Sequence, residues 1–300
     1  MWIYYGLILI AVAMFGGVFA IQDVYRRMRG SGLKISMESA CIGALAGLVV
    51  LLAINGFSIE FTEFTLLMAT LAAIDGLAFT FCSFKALDYI NLSLFSLFAM
   101  LGGMVLPFFQ GIFFYEEPFT LAKAVCVLFI CVALALTVEK SEKKKGTAFY
   151  IGIFVLNGMS GVITKLFTSS ELPKTSEVGY SVWIAIITVA LSGAVWLVLS
   201  LREKRCDASC KSVENTSGKV LAKSYTLGAL CGIFNRVSNL LLVFALVFVD
   251  TSVQYPMVTG GIMIVSTIIS CFGERKPSKR EIISVALAFF GMCALFLIPV

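Results

Sequence analysis

The sequence contains no histidine, and that absence alone removes several classes of chemistry. Without imidazole there is no Ser-His or Cys-His nucleophile pair, no His-ligated zinc and no zinc-protease signature. Charge is scarce too: 14% of the 300 residues are Asp, Glu, Lys or Arg, against roughly 25% in an ordinary soluble domain. With 59% hydrophobic residues and a mean hydropathy of +0.97, a water-soluble chain of this length could not hide its apolar surface. The composition is that of a membrane protein. At about 20 apolar residues per crossing, the length suffices for ten spans with short connections and leaves nothing for a soluble domain.

Other absences narrow the function further. An aspartyl intramembrane protease needs two embedded aspartates that share a proton, and only Asp75 sits deep in an apolar run. No enzymatic activity and no cofactor is expected. Cys41, Cys82, Cys126, Cys131, Cys231, Cys271 and Cys293 lie in apolar segments, where a thiol behaves as a small hydrophobe. Cys206 and Cys210 stand in a polar loop with no second ligand pair, so they read as free thiols rather than a metal site. No cationic residue precedes the first apolar run, which argues against a cleaved signal peptide.

Apolar run length and charged, Gly, Pro or Asn punctuation divide the chain into ten predicted helices. They run Ile3–Ile21, Met37–Ile54, Phe64–Phe84, Leu92–Phe114, Phe119–Thr137, Thr147–Phe167, Gly179–Ser200, Lys223–Leu246, Thr251–Phe272 and Ile282–Pro299. Of the 23 Lys and Arg, all except Lys123, Lys165, Lys174 and Arg236 fall in or beside alternate loops, those following odd-numbered helices. The positive-inside rule makes those loops cytoplasmic and places both termini outside. A multi-pass protein of the plasma (cell inner) membrane is expected. The sequons at Asn91 and Asn215 then lie on the cytoplasmic side, where neither would be glycosylated.

An internal repeat emerges when the fourth and fifth helices are laid over the ninth and tenth. Gly102-Gly103 falls on Gly260-Gly261, Phe114 on Phe272 and Glu116 on Glu274. A weaker match puts Tyr5 on Tyr150, Met14 on Met159 and Gly16 on Gly161. The two copies are residues 1–137 and 147–300, joined by a basic linker at 138–146. Each copy holds an odd number of helices, so the second must enter the membrane upside down relative to the first. Inverted repeats are the architecture of alternating-access carriers, with the solute site near the midplane between copies.

The ten-helix layout, the Gly273-Glu274-Arg275 turn, the preceding Tyr255-Pro256 and Gly260-Gly261, and the Gly161 to Lys165 stretch resemble the EamA-type permeases of the drug/metabolite transporter superfamily. The resemblance spans almost the whole chain through short motifs. It implies movement of a small metabolite or drug, often export of amino acids or related compounds. Three features depart from the pattern. Tyr115-Glu116-Glu117 replaces the glycine-containing turn in the first copy, Gln22 stands where a lysine is common, and the charge bias reverses the usual orientation.

A charge at a helix centre costs about 2.5 to 3.5 kcal/mol on insertion scales, so Asp75 in the third helix and Arg236 in the eighth each need a reason. These helices are equivalent in the two copies. Opposite charges across the pseudo-two-fold axis could pair in the empty carrier and separate around a charged or zwitterionic solute. A permanent ion pair that fixes packing is the other reading. Asn235 and Asn239 lie one turn apart on one face; their amides suit either a solute or a neighbouring helix. Asn157 and Lys165 mark the sixth helix, the lysine close enough to its end to snorkel. Gln254 and Tyr255 precede Pro256, which frees carbonyls tolerated where they line a cavity or meet a helix. Pro107 and Gln110 are comparable in the fourth helix. Gly43, Gly47, Gly228 and Gly232 read as close-packing positions, and Trp183 as an interfacial anchor.

The expected protein is thus an all-α carrier for a small polar or amphipathic metabolite. Its expected partners are that small-molecule solute, membrane lipids and, if transport is coupled, a proton handled by Asp75. Homo-oligomerisation is open, and no nucleic acid is expected. The alternatives are a flippase for a lipid-linked substrate and a non-transporting membrane scaffold or sensor.

Overall fold

The computed structural model describes residues 2–114, 120–137, 147–207, 218–246, 251–273 and 276–297. Among them every regular element is an α-helix: α1 (Trp2–Arg29), α2 (Leu33–Ile54), α3 (Glu63–Ala86), α4 (Leu92–Phe114), α5 (Leu121–Thr137), α6 (Thr147–Ser169), α7 (Glu177–Asp207), α8 (Gly218–Leu246), α9 (Thr251–Phe272) and α10 (Lys279–Leu297). Six of them contain segments long and apolar enough to cross a bilayer: Ile3–Arg29, Leu33–Ile54, Glu63–Ala86, Leu92–Phe114, Ala148–Ser169 and Glu177–Glu203. Met257–Phe272 is a shorter apolar stretch. The chain is an all-α membrane protein. The basic linker at 138–146 and the Tyr115-Glu116-Glu117 turn lie outside the described residues, as do Glu274 and Arg275.

Helices overrun the apolar segments at the basic end. α1 continues to Arg29, α7 to Asp207, and α8 begins at Gly218, so Arg26, Arg27, Arg202 and Lys223 stand on helical turns rather than in loops. Arg and Lys are good helix formers, and Arg26, Arg27 and Arg29 in the last turn of α1 complement the negative end of its dipole.

Eight helices close into a ring through successive neighbours: α1 packs on α8, α8 on α2, α2 on α7, α7 on α3, α3 on α6, α6 on α4, α4 on α9, and α9 on α1. α5 and α10 pack on each other outside the ring, alongside α4 and α9. Small residues set the closest approaches. On the α4–α6 seam, a methyl at Gly102 would collide with the carbonyl of Phe154, one at Gly103 would lie 2.5 Å from Asn157 Nδ2, and one at Gly161 2.5 Å from Pro107 Cγ. On the α1–α9 seam, a methyl at Gly261 would lie 2.7 Å from Val12 Cγ1, and one at Gly16 would collide with Val265. Gly43 and Gly232 face each other where α2 meets α8, as their spacing predicts.

The ring is filled toward its basic end. Phe19 meets Phe95 edge to face at 5.0 Å, and Ile8, Val12, Leu87, Ile153 and Ile262 join the same buried cluster. Beyond it lies a charged layer. Arg26 bridges Asp23 at 2.7 Å and Asp88 at 2.5 Å, and Arg29 holds the 3% exposed Glu38 at 2.8 Å, to which Tyr25 also donates at 3.0 Å. Asn91 accepts from the Leu94 amide at 2.8 Å and donates to Glu281 at 2.5 Å, capping α4 and tying it to α10. At the opposite end, the Trp183 indole donates to the Glu60 carbonyl at 2.7 Å, and Phe64 stacks on Phe167 at 6.0 Å. Trp183 thus sits at a helix end, the position expected of an interfacial residue.

Candidate functional site

Arg236 stands on α8 with its stem against α2: a methyl at Gly47 would lie 2.8 Å from Arg236 Cγ and 3.4 Å from Nε. Gly47 therefore serves as the floor on which the Arg236 guanidinium stem lies, a more specific role than general helix packing. On the same helix, Cys231 Sγ contacts the Val18 carbonyl at 3.8 Å and Phe234 approaches Gly17, defining the face turned to α1. Asn235 and Asn239 fall between the α1-facing and α2-facing residues at the 100° helical step. Ile233, Val237 and Leu240 occupy the opposite arc. The two asparagines thus share the arc of α8 between its α1-facing and α2-facing residues, and Ile233, Val237 and Leu240, all half-buried, share the other. The Asn239 amide donates to the Asn235 carbonyl at 2.8 Å and lies 3.4 Å from Asn235 Oδ1. The predicted shared face is present, and Asn239 remains exposed.

Asp75 occupies the α6-facing side of α3. Its helical neighbour on that face, Cys82, meets Gly152, and the Phe64–Phe167 stack fixes the other end of the register, bringing Asp75 level with Asn157 and Gly158. The residue is 9% exposed, and its Oδ2 is shut off from solvent with no hydrogen-bond partner. A buried carboxylate oxygen left unsatisfied is costly. The next residue, Gly76, is exposed with nothing within 4 Å of an added methyl. It lies across the helix from Leu67 and Ile74, which are 59% and 54% exposed. The lipid face of α3 is therefore on one side and open inner space on the other, beside Asp75.

Among the described residues, no ion pair joins Asp75 to Arg236. The pairing expected of an empty carrier is not formed here. The reason is positional: α3 and α8 are not neighbours in the ring, Asp75 is turned to α6, and the arginine stem is taken by Gly47.

The remaining predicted positions divide. Asn157 donates to the Ala99 carbonyl at 2.6 Å and packs against Gly103, so its amide links α6 to α4. Lys165 is half-buried near the end of α6. Gln254 and Tyr255 lie on α9, but their side chains are outside the described residues, as are those of Cys206 and Cys210. Gln110 is 6% exposed, with its Nε2 3.5 Å from the Val162 carbonyl. Sequence reasoning missed the Tyr25–Arg29–Glu38 cluster. Its only linear signal is an acid, Glu38, opening an apolar run just after a group of arginines.

No family model and no curated protein matches the chain. Among solved structures it is similar to one described only as "Crystal structure of protein", at 16% identity over 96% of each chain with a TM-score of 0.56; at that identity the likeness establishes a shared fold and nothing more.

Proposed function

We propose that this protein is a secondary carrier of two inverted five-helix repeats, moving a small polar or amphipathic metabolite through the eight-helix ring by alternating access. The observation that carries the reading is that the eight pairings of the ring, and the α5–α10 pairing outside it, are unchanged when α1–α5 are exchanged for α6–α10. The α1–α8 contact becomes α6–α3, α1–α9 becomes α6–α4, α2–α8 becomes α7–α3, and α2–α7, α4–α9 and α5–α10 map onto themselves. The residue matches agree. Gly103 against Asn157 corresponds to Gly261 against Val12, and Gly161 against Pro107 to Gly16 against Val265, under the same alignments that matched Gly102-Gly103 with Gly260-Gly261 and Gly16 with Gly161.

Arg236, Asn235 and Asn239 on α8, with Asp75 on the equivalent α3, supply the solute contacts in this reading. A cation and two amides suit a solute with carboxyl, amide or hydroxyl groups. An EamA-type permease of the drug/metabolite transporter superfamily is the proposed kind, with ten crossings, although the arginine and acid of its Gly273-Glu274-Arg275 turn lie beyond the described residues. Purified protein in sealed vesicles, offered a pool of isotope-labelled amino acids, sugars and nucleosides, is expected to accumulate at least one above protein-free vesicles. No protein-dependent movement of any member overturns the reading.

Orientation is proposed from the charge bias, with the basic end cytoplasmic and both termini external. Cys206 and Cys210 are native probes of that end. In intact cells, a membrane-impermeant maleimide is expected to leave both unlabelled until the membrane is permeabilised. Labelling of either thiol before permeabilisation reverses the orientation.

A further inference from the structure

A cleft of about 320 Å³ runs between α9 and α10 on the outside of the ring, walled by Ile264, Ile268, Ile282, Val285, Phe289 and Phe290. Its one hydroxyl-bearing wall residue, Thr267, is already engaged: it donates to the Met263 carbonyl at 2.7 Å and contacts Ser93 Oγ at 2.8 Å. The cleft therefore presents no polar demand. Ile268 and Phe290 are 52% and 62% exposed, so the groove is open along its length. From Ile282 to Phe290 it extends about 12 Å at the helical rise, close to one leaflet of a hydrocarbon core about 30 Å thick. At its mouth, where α9 turns into α10 at the basic end, Lys276 and Lys279 are exposed. Among the described residues the nearby acid, Glu281, is turned inward, accepting from Asn91 at 2.5 Å and from the Ser278 amide at 3.2 Å, and Arg280 beside it is exposed as well.

We propose that this cleft is a binding site for an anionic phospholipid, with an acyl chain along the α9–α10 groove and the headgroup phosphate between Lys276 and Lys279. Charge complementarity selects this occupant over a neutral lipid: the groove takes any acyl chain, whereas two cations one leaflet above its floor favour an anionic headgroup. The basic end is the one the positive-inside rule assigns to the cytoplasmic leaflet, where anionic lipids concentrate. The inference does not depend on the transport reading.

Each surface cation adds about 1 kcal/mol toward an anionic lipid surface, roughly fivefold, so two give roughly a 25-fold preference. Native mass spectrometry of the full-length protein, offered phosphatidylglycerol or phosphatidylcholine with identical acyl chains, reads that ratio directly. K276Q/K279Q is expected to lower the preference at least about fivefold. K219Q/K223Q, which removes two exposed cations elsewhere at the basic end, is expected to retain it. A286W, at an exposed cleft position, is expected to lower occupancy by both lipids. Equal binding of the two lipids to wild type, an unchanged preference in K276Q/K279Q, or an equal loss in K219Q/K223Q overturns the proposal. A lipid-independent dimer that A286W dissociates also overturns it, and assigns the cleft to a second copy of the chain.

Discussion

Gly102→Ala and Gly232→Ala are each expected to abolish recovery of monodisperse folded protein, while Gly6→Ala and Gly76→Ala leave it unchanged or slightly improved. Helix propensity alone favours alanine over glycine by about 1 kcal/mol at all four positions, so a loss at only two of them identifies packing as the cause. At Gly102 the added methyl meets the Phe154 carbonyl, and at Gly232 the Gly43 carbonyl. Both obstacles are backbone, which cannot yield by changing rotamer. The helices must separate, and the seams they hold, α4–α6 and α2–α8, are links of the closed ring. Separation there also strips the close contacts that stand in for a hydrophobic driving force between helices in lipid. Overpacking in ordinary cores costs about 1–3 kcal/mol; two rigid backbones in contact put these positions at or above the upper end. At Gly6 and Gly76 nothing lies within 4 Å of the new methyl. Size-exclusion profiles of the four variants after a temperature ramp decide the matter. Wild-type thermal behaviour in Gly102→Ala would show that the α4–α6 seam is looser than its geometry.

These seams also show how far the linear sequence could be read. The helices were legible because bilayer thickness imposes a length on every apolar run, and the limits of α4 and α9 fall where the apolar pattern stops. Gly43, Gly47, Gly228 and Gly232 announced close packing, but not that Gly47 would carry Arg236. The order of helices around the ring was illegible. α2 and α3 are apolar on nearly all sides, and such helices carry no amphipathic stripe to separate a lipid face from a protein face. The Glu38 cluster was illegible for another reason. Its stability lies in partners from a different helix, Tyr25 and Arg29, and a lone acid at a span's edge looks like any interfacial charge until those partners are placed. Pairing of Asp75 with Arg236 was inferred from equivalent depth in equivalent helices. Depth does not fix azimuth, and azimuth turns the two side chains to different neighbours.

That difference sets the expected outcome for the two intramembrane charges. Asp75→Asn and Arg236→Gln are each expected to reduce uptake of whichever solute the labelled pool identifies by roughly 10- to 100-fold, the equivalent of one hydrogen bond to a charged group. Folded protein should be recovered normally, since Asp75→Asn is isosteric and Arg236→Gln, though shorter, keeps the Cγ that packs on Gly47, and each removes a charge from a low-dielectric position. The double variant should be no better than the worse single one. Rescue requires that each charge exists to neutralise the other, and here Asp75 Oδ2 has no partner while the arginine stem lies on Gly47. In the proposed carrier, the two charges would then act on the solute or on a coupling ion separately. Among the carboxylates described, Asp75 is the one placed mid-helix beside open inner space; Glu38, also buried, is held by Arg29 and Tyr25 at the basic end. A proton taken up from one side and released to the other would accordingly pass through Asp75. With the membrane potential clamped, a pH gradient should drive the solute uphill in wild type and in no vesicle carrying Asp75→Asn, which should still equilibrate slowly. Wild-type uptake in either single variant removes that residue from the site. Recovery in the double variant would mean the pair does form in another conformation, and equal equilibration of wild type with and without the gradient would leave a facilitator in which Asp75 only orients the solute.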